Sequence, residues 1–210
     1  MLTILKWGVV ASFLNCITFL IIMVLKTSSF GKMPVYAKPQ GKGKEGIFYA
    51  FGKGMMPWEK DSARRHILTY IGGMLYHGGI FAAFFYLFSL VISFEISKPL
   101  KFLFSLLIGL GFFSGVSLLV KRILLVSLRK ISCADDFAAN LVVDVFLALA
   151  LLNTFYPGLK TYFYAISIIL FLYVPVGKIR HCVFFFYTRI LFGLFYGRRG
   201  VLPKKMKFNT

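Results

Sequence analysis

Residues 66–94 read HILTYIGGMLYHGGIFAAFFYLFSLVISF, twenty-nine positions without one Asp, Glu, Lys or Arg. About 20 apolar residues wound as a helix cross the hydrocarbon core of a bilayer. A soluble domain has little use for so long an uncharged run. Uncharged runs of similar length recur at 7–25, 102–120 and 161–177, and at 137–159 with Asp144 as the single exception. Together they fill about half of the 210 residues, and 59% of the chain is hydrophobic against 15% charged. Ordinary soluble proteins carry roughly a quarter charged residues. The pattern predicts an all-α integral membrane protein, a bundle of five transmembrane helices. No stretch is left for a separate water-soluble catalytic domain.

The net charge of +18 raises the question of nucleic acid. The placement of the basic residues answers it. Nine lie between the first and second spans, four between the third and fourth, and eight after the fifth, so 21 of the 25 fall on one side. Only Lys6, Lys98, Lys101 and Lys160 fall on the other. Loops rich in Lys and Arg remain in the cytoplasm. The N-terminus is therefore expected outside and the C-terminus in the cytoplasm, in a multi-pass protein of the cytoplasmic (inner) membrane. The charge reads as topology and contact with anionic membrane lipids, with no nucleic acid partner.

The expected helices are about 3–25, 63–94, 100–128, 137–156 and 161–186, all within one membrane domain covering 1–210. The first reads as a retained anchor, since no cationic leader precedes it. Residues 27–61, rich in Gly, Lys and Pro, read as a cytoplasmic loop without a core of its own. The basic tail 187–210 either extends the fifth helix or lies along the inner membrane surface. Gly109, Gly111 and Gly115 predict close approach of a neighbour to the third helix. Asp135 and Asp136 sit where carboxylates cap a helix start. Cys16, Cys133 and Cys182 lack the spacing of a metal site.

Three histidines occur, and two of them sit in apolar segments: His77 in GMLYHGGIF and His181 after LYVPVGKIR. Imidazoles from two helices are the usual axial ligands of a b-type haem held between them. Gly72, Gly73, Gly78 and Gly79 flank His77, and their missing side chains leave space beside the backbone. Each histidine alone reads equally well as a polar residue with a hydrogen-bond partner, but ionisable groups at depth are costly. His66, eleven residues before His77, would share its helical face about 16 Å nearer the cytoplasm. It is the competing ligand.

The segments MLYHGGIFAAFF and FLYVPVGKIRH resemble the membrane cytochrome b (gamma) subunit of respiratory nitrate reductases, a family that includes the anchors of heterodisulfide-reductase-like complexes. The resemblance covers all five spans in order and orientation. It implies haem b held by one histidine from helix two and one from helix five, here His77 and His181. The family's second pair of ligands falls on Leu87 and Phe163, which cannot hold iron. One haem near the cytoplasmic side is implied.

Arg180, Lys178, Arg64 and Arg65 lie where haem propionates would emerge, or simply mark the membrane edge. Asp144, the only acid inside a span, is expected protonated or paired. It reads either as a quinone or proton site, or as a partner of Lys121, Arg122 or Ser117. The sequence as a whole points to a subunit passing electrons between the quinone pool (quinone or menaquinone) and a cytoplasmic iron–sulfur subunit. That partner would be heterodisulfide-reductase-like or molybdoenzyme-associated. Alone, the chain would not be catalytic. The alternative is a haem-free membrane anchor or assembly subunit.

Overall fold

A computed structural model describes residues 1–30 and 36–202. Lys32, Lys204, Lys205 and Lys207, with the end of the basic tail, lie outside the described residues. Among those described there are helices and turns but no strand: α1 (Leu2–Ser29), α2 (Gly43–Phe51), α3 (Asp61–Arg65), α4 (Ile67–Val91), α5 (Lys98–Leu124), α6 (Val126–Lys130), α7 (Ala134–Phe155), α8 (Lys160–Tyr173) and α9 (His181–Arg199). Helices α1, α4, α5 and α7 are each long and apolar enough to cross a membrane, and α8 with α9 form a broken fifth candidate. Large apolar side chains such as Leu14, Phe81, Phe85, Phe102 and Phe113 stay exposed. In water such a surface would aggregate, whereas lipid tails cover it without cost.

The chain forms two compact units, one of Met1–Leu20 with Leu68–Arg180, the other of Ile21–Ile67 with the chain from His181. In the first, Leu87, Ile108, Phe146, Leu147, Phe163 and Leu170 are fully buried. Aromatic rings tie its helices together: Phe13 of α1 meets Phe88 of α4 and Phe171 of α8 at 5.0 and 5.1 Å, and Phe146 of α7 meets Phe84 and Phe163 at 5.2 and 5.4 Å. Small residues set the tightest approach. A Cβ on Gly79 would stand 2.6 Å from the Cα of Gly111, so α4 and α5 touch backbone to backbone. Gly109 merely reaches Leu151 at ordinary contact distance.

The end of α4 has a specific chemical cause. Phe94 N–H donates to Ser89 O at 2.8 Å and Ser93 N–H to Leu90 O at 3.3 Å, the paired bonds of a Schellman closure. Ser93 takes the left-handed position at φ +59°, which glycine usually fills. The next helix opens with Pro99 in its first turn, where a missing N–H is harmless.

Where the sequence predicts one helix over 161–186, two are found. Helix α8 ends at Tyr173, and Pro175, without an amide hydrogen, cannot continue the ladder. Val176 and Gly177 N–H instead close back on Tyr173 O at 3.1 and 2.8 Å, and a side chain on Gly177 would collide with the Tyr173 ring. His181 thus opens a new helix rather than closing an old one. The expected second helix also starts late: α3 stops at Arg65, and nothing in the local sequence explains the interruption at His66.

In the second unit, residues 27–61 contain a helix that their composition did not announce. Helix α2 runs antiparallel to α9, with Gly46 seated against Gly193 and Gly197, and Gly43 against Leu194. At the far end Phe51 packs on Phe185 and Phe186 at 6.4 and 6.1 Å. Gln40 and Gly41 donate their N–H groups to Arg198 O at 2.9 and 3.0 Å, satisfying a carbonyl at the end of α9. The turns at 53–60 add a small polar cluster. Glu59 accepts from Tyr49 at 3.4 Å and pairs with Lys53 at 3.3 Å. Burial, with the Glu59 carboxylate beside it, raises the Tyr49 phenol above its ordinary pKa.

Candidate functional site

Two of the site residues singled out in the sequence, His77 on α4 and Asp144 on α7, lie within the first unit. His77 sits on an exposed face of α4. Its Nδ1–H donates to Gly73 O, one turn earlier, at 2.7 Å. A carbonyl can only accept, so this bond places the proton on Nδ1 and leaves Nε2 as the basic nitrogen. Of the four glycines flanking His77, Gly73 and Gly78 would meet nothing within 4 Å on gaining a Cβ, while Gly79 is used against α5.

Tyr76 connects this histidine to the buried acid. Its ring lies edge-on to the His77 imidazole, with centroids 6.3 Å apart. On its other side it approaches Gly115 and the Asp144 carboxyl. Asp144 is only 5% exposed. Its Oδ2 accepts from Asn140 Nδ2 at 2.8 Å, while Oδ1 is buried with no hydrogen-bond partner among the described residues. Asn140 also donates to the Tyr76 hydroxyl at 3.2 Å and to Gly115 O at 3.4 Å. Tyr76, next to His77 in the sequence, is thus the α4 side chain that borders the Asp144 carboxyl.

None of the alternative partners named for Asp144 reaches it. Lys121 donates to Thr69 Oγ1, Ser117 to Phe113 O at 2.7 Å, and Arg122 to Ser132 Oγ at 2.9 Å, with Asp136 3.6 Å away. Asn140 takes their place. It precedes Asp144 by four residues, so the two share one helical face. That spacing is visible in the sequence and was the signal to use.

The remaining site residues belong to other elements. His181 opens α9 in the second unit, and His66 lies exposed between α3 and α4, also in the second unit. The continuous helix expected through His66 is interrupted, with α3 ending at Arg65 and α4 beginning at Ile67. Arg64, Arg65 and Arg180 are exposed. Lys178 donates to Asp136 at 2.7 Å, and its backbone N–H to Asp135 Oδ2 at 2.9 Å. The Tyr173 hydroxyl also donates to Asp135. Asp136 still caps α7, accepting from Cys133 N–H at 2.9 Å. The two acids thus pin the 173–178 turn to the start of α7, a tertiary role beyond the cap.

Leu87 and Phe163, the positions at which the family resemblance places a second ligand pair, are fully buried, and Phe163 stacks on Tyr86 at 6.0 Å. Among the described residues no three His, Cys, Asp or Glu side chains gather as they would around a bare metal ion. Compared with protein-family models, curated proteins and solved structures, the chain matches none.

Proposed function

We propose that this membrane-spanning chain is a cytochrome b subunit that passes electrons between quinone and a cytoplasmic iron–sulfur subunit. The observation that carries the reading is the His77 Nδ1–H bond to Gly73 O. Ligating histidines donate their other ring N–H to a carbonyl or carboxylate, which fixes the tautomer and the ring plane. His77 fits one axial position, and His181 is assigned the other. Haem b would supply a one-electron centre there. The filled positions at Leu87 and Phe163 favour one haem over two.

Asp144 supplies the proton chemistry of this reading. Asn140 holds Oδ2, and the unpartnered Oδ1 is the atom at which a proton would be held when quinol is oxidised nearby. Tyr76, next to His77 on α4, borders this carboxyl. Arg64, Arg65 and Arg180 are assigned to the propionates; Lys178 already serves Asp136. The excess of basic residues in these loops supports an N-terminus outside and a C-terminus in the cytoplasm. The iron–sulfur partner then meets the basic inner face.

The test is the spectrum of the purified full chain. Reduction should give a b-type α-band, and a pyridine haemochrome assay should give about one haem per chain. A protein free of haem after expression with haem supply would overturn the proposal in favour of an anchor or assembly subunit. A ratio near two would overturn the single-haem assignment.

A further inference from the structure

Three of the four lysines that fall outside the basic loops converge on one cavity, at the end of the first unit that holds the 92–97 turn. The cavity measures about 440 Å³ and is lined by Tyr86, Ser89, Ser93, Glu95, Lys101 and Lys160 among others. Lys6, from α1, reaches the same turn and donates to Ser93 Oγ at 3.1 Å. Lys6, Lys101 and Lys160 are all half-buried. Glu95 is the one acid in the lining, and among the described residues no lysine stands at ion-pair distance from it.

Half-buried ammonium groups without counter-ions are costly. Here the cost is compounded by position. Lys160 is the first residue of α8 and Lys101 stands one turn into α5, and neither helix has an acid in its first turn. Cations at the positive end of a helix dipole raise the local potential instead of offsetting it. Ser93 accepts from Lys6, so its own hydroxyl hydrogen remains to be donated. Three ammonium groups and a hydroxyl, set around a cavity with a polar floor, make an array of donors with nothing anionic to receive them except Glu95.

We infer that this cavity binds a phosphate group, with Lys6, Lys101 and Lys160 as its charge-assisted donors. Two sources carry that chemistry, the phosphate of an anionic lipid and a free phosphate ion or monoester. The site is independent of the haem assignment. It involves neither histidine nor Asp144.

The experiment uses the full chain in a neutral maltoside detergent. Inorganic phosphate and, separately, short-chain phosphatidylglycerol are titrated by calorimetry at matched ionic strength, with chloride and short-chain phosphatidylcholine as references. At least one of the two probes should bind, and binding should weaken as salt rises. The pair Lys101→Gln with Lys160→Gln should weaken it by about tenfold or more, the scale expected for lost charged hydrogen bonds. Lys101→Arg with Lys160→Arg should retain it, and so should the exposed control Lys44→Gln with Lys130→Gln. Binding of phosphatidylglycerol alone identifies the lipid as the source; binding of inorganic phosphate identifies the free ion. Binding of neither above its reference, or equal weakening in the control pair, would overturn the inference.

Discussion

The carboxyl of Asp144 occupies the space that a side chain on Gly115 would need. A Cβ at that position would strike both Asp144 Oδ1 and the Tyr76 ring. Glycine here is a condition of the polar group between α4, α5 and α7. Gly115→Ala should push both side chains aside at a cost of about 1–3 kcal/mol, typical of overpacking. Thermal unfolding of the detergent-solubilised protein should register it. An unchanged midpoint would mean the cluster yields without strain.

Asn140 provides the hydrogen bond to the Asp144 carboxyl at 2.8 Å. Asn140→Ala should therefore cost about 1–3 kcal/mol, because it strands a buried acceptor rather than removing a neutral contact. Asp144→Leu introduced together with Asn140→Leu should recover much of the loss. A double-mutant cycle with no coupling between the two positions would contradict the arrangement.

Under the proposed function, His77→Ala and His181→Ala should each abolish haem incorporation, whereas His66→Ala should leave the reduced spectrum unchanged. His66 lies where the helical run is interrupted, outside both α3 and α4. Haem retained in His77→Ala and lost in His66→Ala would reverse the assignment.

Gly193→Val should undo the docking of α2 on α9, since the backbones there leave no room for a side chain. Limited proteolysis would then cut within 43–60 well before the wild-type protein is attacked. Equal rates in both proteins would show that α2 is held by something other than the glycine contact.

Topology is open to direct labelling. A cysteine replacing Lys44, which is exposed, should react with impermeant reagent only after the membrane is opened from the cytoplasmic side. Gly43 is the poorer choice, since it lies against Leu194. A reporter fused after Thr210 should be cytoplasmic. Labelling of Lys44→Cys in intact cells would invert the orientation drawn from the basic loops.

The apolar helices were legible in the sequence because length and lack of charge are local properties. The spans expected at 3–25, 100–128 and 137–156 correspond to Leu2–Ser29, Lys98–Leu124 and Ala134–Phe155. The stop at Tyr173 was written in Pro175 and Gly177, although a single helix was read through them. The pairing of α2 with α9 was not legible. Its signal is a glycine pair, Gly193 and Gly197, matched to Gly46 roughly 150 residues away, and neither half declares its partner. The Asn140–Asp144 bond lay between these extremes, visible at helical spacing yet passed over in favour of Lys121, Arg122 and Ser117.

The antiparallel seat of α2 on α9 also constrains the path of everything between them. Under the proposed topology, with both segments in the cytoplasm, the chain would cross the bilayer an even number of times between Phe51 and His181. Helices α4, α5 and α7 are each long enough to cross, and the fourth crossing would fall to α8, which is long and apolar enough only together with α9. Yet α8 has only 14 residues, about 21 Å of rise, against a hydrocarbon layer of roughly 30 Å. The deficit would then be met by the turns at its two ends and by a locally thinned bilayer. On that topology the bilayer around α8 would have to fit a helix shorter than its own hydrocarbon layer.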